Sequence, residues 1–306
     1  MKSSFYLSLT LSLLLFNTPS CGKKYYKHVD AEGIVHYSDK PPAEAIEYEA
    51  YQVRPEDTEF KVTVINRGTR SAPRFYAINP YHGAVEVSMR LPEGENIQTN
   101  PPWPANYVVP ANSELFLTAI TPVYQDMAWS YSYSMSAVMG DPYAVHDANH
   151  VYERPFAANE EYFISQAFGG EFSHTSDQNQ HAIDIVMPEG TPVLAARGGV
   201  VMDVANDFYD GGTDANKLQR GNYVRIEHDD GSMAVYAHLQ LESVVVARGQ
   251  QVSAGQKIAL SGSTGYASGP HLHFVVQMNG GMHLKSVPFV MRYRDGTIKE
   301  PETGPL

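Results

Sequence analysis

The sequence predicts an all-β protein, in which an antiparallel β-sandwich-like region is followed by a second region built on an antiparallel β-sheet. Three observations carry that reading. Between Val53 and Tyr143, apolar and polar residues alternate in Phe60-Lys61-Val62-Thr63-Val64, Val85-Glu86-Val87-Ser88-Met89 and Trp129-Ser130-Tyr131-Ser132-Tyr133-Ser134-Met135, with Gly, Pro and Asn turns between the runs. Further on, two alternating strands flank Asp229-Asp230-Gly231, a hairpin turn, and the second strand ends at His238. A third strand follows the turn Gly269-Pro270 and carries His271, His273, Phe274 and Val275.

The elements follow in order. Residues 1–21 combine Lys2 with an apolar run from Leu7 to Phe16, too short to span a bilayer but suited to a signal peptide, so export is expected. Thr18-Pro19-Ser20-Cys21 resembles the end of a bacterial lipoprotein signal, which makes Cys21 a candidate lipid anchor, although Thr18 and Pro19 depart from that pattern and plain cleavage stays open. Residues 22–50 read as a small β-hairpin module about an Asp30-Ala31-Glu32-Gly33 turn. Residues 51–145 are the sandwich-like region, whose Tyr and Trp content reads either as a binding surface or, as favoured by aromatics alternating with serine, as one buried and one solvated face. The connection then carries His146 and His150, either of which could occupy a metal's open position. The second region spans 155–292, and the polar tail 293–306 is expected to be flexible.

Composition narrows the partners. Thirty-four acidic against 22 basic residues give a net charge of -12, and no basic patch interleaved with aromatics appears, which argues against nucleic acid. One cysteine excludes a disulfide framework, and 43% apolar residues are enough for hydrophobic cores to hold the chain together, expected here as a monomer.

The chemistry lies in the second region. His271 and His273 stand two residues apart on a strand and share a face, an arrangement suited to a metal. Asp184 sits between Ile183 and Ile185, a costly place for a carboxylate unless a cation meets it. The cation is either a metal ion or a side chain such as Arg197. A carboxylate with two imidazoles and one open position is the ligand set of a catalytic zinc. Other hydrolytic plans fit poorly: HExxH and GxSxG are both missing, and Ser261-Gly262-Ser263-Thr264-Gly265 lacks the Lys-Ser/Thr ending of a phosphate loop.

Residues 160–290 resemble the catalytic domain of the lysostaphin-like zinc metallopeptidases, which cut peptide stems or cross-bridges of bacterial peptidoglycan. The likeness rests on His174 and Asp184, on Glu189-Gly190-Thr191-Pro192-Val193, on Tyr236-Ala237-His238-Leu239, and on Ser261 to Gly265 followed by Gly269-Pro270-His271-Leu272-His273-Phe274. It implies a lysostaphin-type antiparallel β-sheet domain and a zinc-dependent endopeptidase of peptidoglycan peptides, working in the periplasm or cell envelope. It also implies Zn2+ on His174, Asp184 and His273, with His238 and His271 handling protons and the developing oxyanion. One departure concerns the first pair, because the family places its histidine four positions before the aspartate and position 180 here is Gln180. His181 is three residues from Asp184, an odd spacing that sends the two side chains to opposite faces of a strand. His174 is ten residues away, across the polar run Thr175 to Gln180, which can loop it back over the strand, and some members of the family carry a similar insertion; that resemblance favours His174 as ligand and leaves His181 at the surface or in the cleft against substrate. The competing class is a non-catalytic wall-binding protein or an activator of wall hydrolases, which is the fate of relatives that have lost a ligand. All five site residues are retained here.

Overall fold

The computed structural model describes residues 23–30, 35–38, 40–42, 46–53 and 61–306. The apolar leader and Cys21 lie outside the described residues. The chain divides into two compact units, Met1–Pro55 and Glu56–Leu306. No helix among the described residues is long and apolar enough to cross a membrane. The only helical turn there is the 3-10 segment Ala215–Lys217.

In the first unit, Lys23–Val29 pairs antiparallel with Val35–Ser38, as the Asp30 to Gly33 turn predicts, and on its other edge with Glu49–Val53. That third strand carries the module past the expected limit at residue 50, because Lys23↔Val53 and Lys24↔Gln52 complete the ladder.

The second unit begins with a sandwich. One sheet orders Thr63–Asn66, Arg74–Asn79, Ser113–Pro122 and Ile97–Asn100; the other orders Ser130–Met139, Val85–Glu95 and Ala105–Val109. Alternation buries Phe75, Ala77, Val85, Val87, Met89 and Leu117 between them, as expected of a face-to-face core.

The larger sheet runs Gln251–Val252, Gly199–Ala205, Asn222–Glu227, Met233–Leu239, His271–Asn279, Ile183–Val186, Phe163–Gln166 and Gly304–Pro305, all neighbours antiparallel. Its buried face packs Ile183, Ile185, Val224, Ile226, Tyr236, Leu272 and Phe274 into one core. Two features depart from a reading in separate pieces. Met202 and Met233 of this sheet are fully buried members of the sandwich core, so the two regions share apolar surface. The tail 293–306, expected to be flexible, is docked in the structure: Pro305 pairs with Phe163 and Gly304 with Ile164, the Leu306 amide donates to Tyr162 O at 2.9 Å, and the Leu306 side chain is 1% exposed in the core. Tyr293 joins the same core and Ile298–Lys299 pairs with Val290–Arg292, so several contacts hold a segment that is otherwise polar and rich in Gly and Pro.

Candidate metal centre

The strand His271–Asn279 sends Leu272, Phe274 and Val276 into the core and turns His271, His273 and Val275 toward a cleft of ≈ 1120 Å³. The antiparallel register sets Asp184 directly opposite His273, and opposed residues share a face. His273 Nδ1 lies 2.9 Å from Asp184 Oδ1. His174 reaches the same oxygen from a loop outside the sheet. Its Nδ1 bonds Ala167 O at 3.0 Å, and since a carbonyl only accepts, the proton is on Nδ1 and the lone pair on Nε2. That Nε2 is buried 3.2 Å from Asp184 Oδ1, yet without hydrogen-bond geometry. The ligating atoms of His174, Asp184 and His273 lie within 4.8 Å of one another, and no other group of three among the described residues converges this way.

The supporting contacts explain how residues ten apart in sequence meet. A β-bulge between Ile164 and Gln166 brings Gln166 opposite Asp184, where its Nε2 donates to Asp184 Oδ2 at 2.9 Å and to Ser173 Oγ at 2.7 Å. Gln166 thus ties the carboxylate to the residue preceding His174. The excursion between His174 and Asp184 is pinned at its middle: Gln277 Nε2 donates to Gln178 O at 2.8 Å, and the Ser286 amide to Asp177 O at 2.7 Å. His181 is taken up by the same anchor, its amide and Nδ1 both on Ser286 Oγ at 3.0 and 3.1 Å, with its ring edge-on to Phe168. It stands outside the cluster and outside the cleft lining.

His238 and His271 face each other at 4.5 Å between ring centroids. Each hands its Nδ1 proton to a backbone carbonyl, His238 to Thr264 O at 2.7 Å and His271 to Gly269 O at 2.8 Å, which leaves both Nε2 lone pairs free. Simple alternation would point Ala237 and not His238 at the cleft. The register instead skips His238, pairing Tyr223 with Ala237 and Asn222 with Leu239, and His238 takes φ 62°. The bulge and the left-handed backbone turn its ring into the cleft, a strain of the kind stored at functional sites. Thr264 holds the other end, its Oγ1 donating to Leu239 O at 2.8 Å and accepting the Asn222 amide at 3.0 Å. The Ser261 to Gly265 segment is therefore a staple for His238. Gly265 has no alternative there, since it sits at φ 80° and a Cβ would fall 2.7 Å from Gly221 Cα.

Burial, followed by repulsion from His271 and His273, drives His238 down to about 3, and burial lowers His271 as well, so both are neutral at pH 7. Burial opposes ionisation of Asp184, but the neighbouring imidazoles of His174 and His273 outweigh it and hold the carboxyl well below its ordinary range. Arg197 does not meet Asp184. Its guanidinium binds Asp229 at 2.5 Å and Asp230 at 3.0 Å, with Tyr152 beneath it at 3.3 Å. Tyr152 packs on Phe274, which alternates with His273, so this ion pair lies behind the opposite face. His146 bonds Pro288 O and His150 packs on Tyr152; neither joins the metal cluster.

Residues 178–285 match the sequence profile of peptidase family M23. This stretch is a peptidase family M23 domain. Asp184, His238, His271 and His273 fall within the match and His174 lies four residues before it. Residues 11–59 match a domain of unknown function, DUF4124. The M23 domain is 42% identical over 97 residues to the peptidoglycan DD-endopeptidase ShyA of Vibrio cholerae, a stretch covering 32% of this chain and 20% of that one. An uncharacterized metalloprotease of Buchnera aphidicola is 34% identical over 143 residues, 45% of this chain and 34% of that one. The uncharacterized lipoprotein YgeR of Escherichia coli is 39% identical over 103 residues, 34% and 36% of the two chains. The chain thus matches about a fifth to a third of the length of these relatives. Among solved structures, the catalytic domain of the M23 protein EnpA from Enterococcus faecalis is 26% identical, covering 44% of this chain and 93% of that one, with a TM-score of 0.33.

Proposed function

We propose that the protein is a zinc-dependent endopeptidase that hydrolyses peptide stems or cross-links of bacterial peptidoglycan. The observation that carries the proposal is the pairing of two sets of groups in one cleft: three converging donor atoms, one of them a buried imidazole nitrogen without a hydrogen bond, and two neutral imidazoles with free lone pairs beside them. One carboxylate oxygen and two imidazole nitrogens suit zinc, and His174, Asp184 and His273 would hold it. Bound there, zinc would polarise the scissile carbonyl and bring a water's pKa toward neutrality. His238 and His271 would then supply proton transfer: one Nε2 takes the water's proton and, as the imidazolium so formed, steadies the developing oxyanion and delivers that proton to the leaving amine, while the other Nε2 lone pair accepts a hydrogen bond that orients the attacking water. Their Nδ1 bonds to Thr264 O and Gly269 O fix tautomer and aim, and gain strength when either ring becomes cationic.

The cleft suits an uncharged or weakly charged peptide. Ser173, Thr175, Gln178 and Asn179 line one wall, Thr213 and Gln219 another, and Val235, Ala237 and Val275 the floor. The naming of ShyA as a DD-endopeptidase supports a peptidoglycan substrate, and YgeR, a lipoprotein, supports a site in the cell envelope with Cys21 as lipid anchor. The test is release of new amino groups from purified peptidoglycan, run with zinc analysis. Activity that follows zinc content and disappears in His273→Ala supports the reading; cleavage by zinc-free protein overturns it.

A further inference from the structure

The aromatic strand of the sandwich is less buried than a core strand would be. Trp129 and Tyr131 are only partly covered and Tyr133 is 40% exposed. The Trp129 and Tyr131 rings stack at 5.9 Å and 12°, and with Asn66, Thr69, Arg70, Ser71 and Ser130 they line a cleft of ≈ 860 Å³. This cleft is separate in lining from the metal centre. Its far wall is a braced hairpin tip. Thr69 and Ala72 bond each other's backbone in both directions at 3.2 and 3.3 Å, and Asn66 Oδ1 accepts the amides of Gly68 and Arg74 at 2.8 and 2.9 Å. Gly68 is required there, because a Cβ would fall 2.1 Å from Ala72 O. With its oxygen fully engaged, Asn66 keeps its amide Nδ2 unspent, and the Arg70 guanidinium meets no partner among the described residues. A fixed wall of donors thus faces a fixed aromatic platform.

We propose that this cleft binds an amino-sugar glycan chain. A pyranose ring presents a C–H face that stacks on an aromatic platform and an edge of hydroxyl and acetamido oxygens that accept from amide and guanidinium donors. Five polar side chains to two aromatic ones is a sugar-like lining. A proline-rich peptide fits less well: it docks between spaced aromatic ridges, and here the two rings lie against each other with no slot between them. The glycan strand of the wall is the natural source, a point that rests on the endopeptidase reading, whereas the glycan chemistry does not. The consequence is positional. Met202 and Met233 join the sandwich core to the sheet that carries the metal centre, so a glycan held at Trp129 would set which stem peptide reaches the catalytic cleft.

The chain has two tryptophans, and Trp103 is buried and donates to Tyr107 Oη at 3.0 Å, so Trp129 is a natural reporter. The probe is chitotetraose, which holds no peptide bond for the other cleft to cut. Titrated into the full chain, it should give a saturable fluorescence change with Kd of about 0.1–1 mM. The change should persist in Trp103→Phe, and Arg70→Ala, an exposed position that leaves folding alone, should weaken binding roughly tenfold by calorimetry. A proline-rich decapeptide should not bind. No saturable change by about 10 mM sugar, unchanged affinity in Arg70→Ala, or binding of the peptide in place of the sugar overturns the proposal. Binding by zinc-free, catalytically silent protein would leave it standing while removing support from the endopeptidase reading.

Discussion

The central sheet carries a cluster of histidine and aspartate on each of its faces, and they differ in one component. Behind the sheet, Asp229 and Asp230 meet a resident cation, Arg197, while His146, His150 and His228 pack around it. In front, Asp184 meets no arginine or lysine among the described residues: besides the Gln166 amide at 2.9 Å it faces imidazoles, His273 at 2.9 Å, His174 at 3.2 Å and His271 at 3.7 Å. The rear cluster brings its own positive charge and so completes a structural bond; the front one gathers three donor atoms of a kind that could hold a metal ion. A fourth carboxylate sharpens the contrast. Glu227, at the junction with the sandwich, has neither cation nor imidazole, only the Ala84 amide, and burial pushes it up to about 7, so it is largely protonated below neutrality. Residue type alone does not make a metal site; what surrounds the carboxylate does.

The largest expected effect breaks the rear cluster. Arg197→Met leaves the mostly buried Asp230 without its cation and should cost about 3–5 kcal/mol of stability, read from urea unfolding. Zinc bound per folded molecule should not change. If Arg197→Met empties the front site instead, the two clusters are one network.

Next comes loss of turnover. His238→Ala and His271→Ala each remove a proton-transfer or oxyanion contact worth about 3 kcal/mol, so turnover should fall roughly 10²-fold or more while zinc stays. Near-normal turnover in both would refute their roles. Loss of zinc from His271→Ala would mean that ligand and base are exchanged within the pair.

The smallest effect concerns Glu227. Its folded value near 7 lies above the ordinary carboxylate value of 4.5, so the folded state holds the extra proton between those limits. Its contribution to stability is complete below pH 4.5 and is lost as pH rises through 7. Glu227→Gln should therefore gain about 2 kcal/mol over the parent at pH 8 and nothing at pH 4, measured as the shift in urea midpoint. An equal shift at both pH values would show that the side chain is not titrating.

Part of the site was legible because period-2 strands make i,i+2 pairs converge, which puts His271 and His273 on one face, and Asp184 stood out as a charge between two isoleucines; the division into ligands and proton-handling histidines came from the family resemblance. The choice of His174 over His181 rested on a loop folding back, and the structure supplies that loop's anchors in Gln277 and Ser286. What escaped are consequences of bulges. Nothing local in Phe163–Gln166 says that Gln166 will be slipped into register with Asp184, and nothing in Tyr236-Ala237-His238 says that its ladder will skip a residue. A bulge is fixed by partners distant in sequence, and periodicity reads only neighbours. The shared core was hidden for the same reason: Met202 and Met233 look like ordinary strand residues until the sandwich covers them. The tail has the composition of a loose end, and its docking rests on contacts that composition does not show, Tyr293 and Leu306 in the core and Gly304 against Ile164.

The measurement closest to the central claim is zinc content of the purified chain beside four single variants. The parent should hold about one zinc, His174→Ala, Asp184→Asn and His273→Ala close to none, and His181→Ala the parental amount, with all five folded by circular dichroism. Full occupancy in Asp184→Asn or His273→Ala, or loss of zinc confined to His181→Ala, would contradict the assignment.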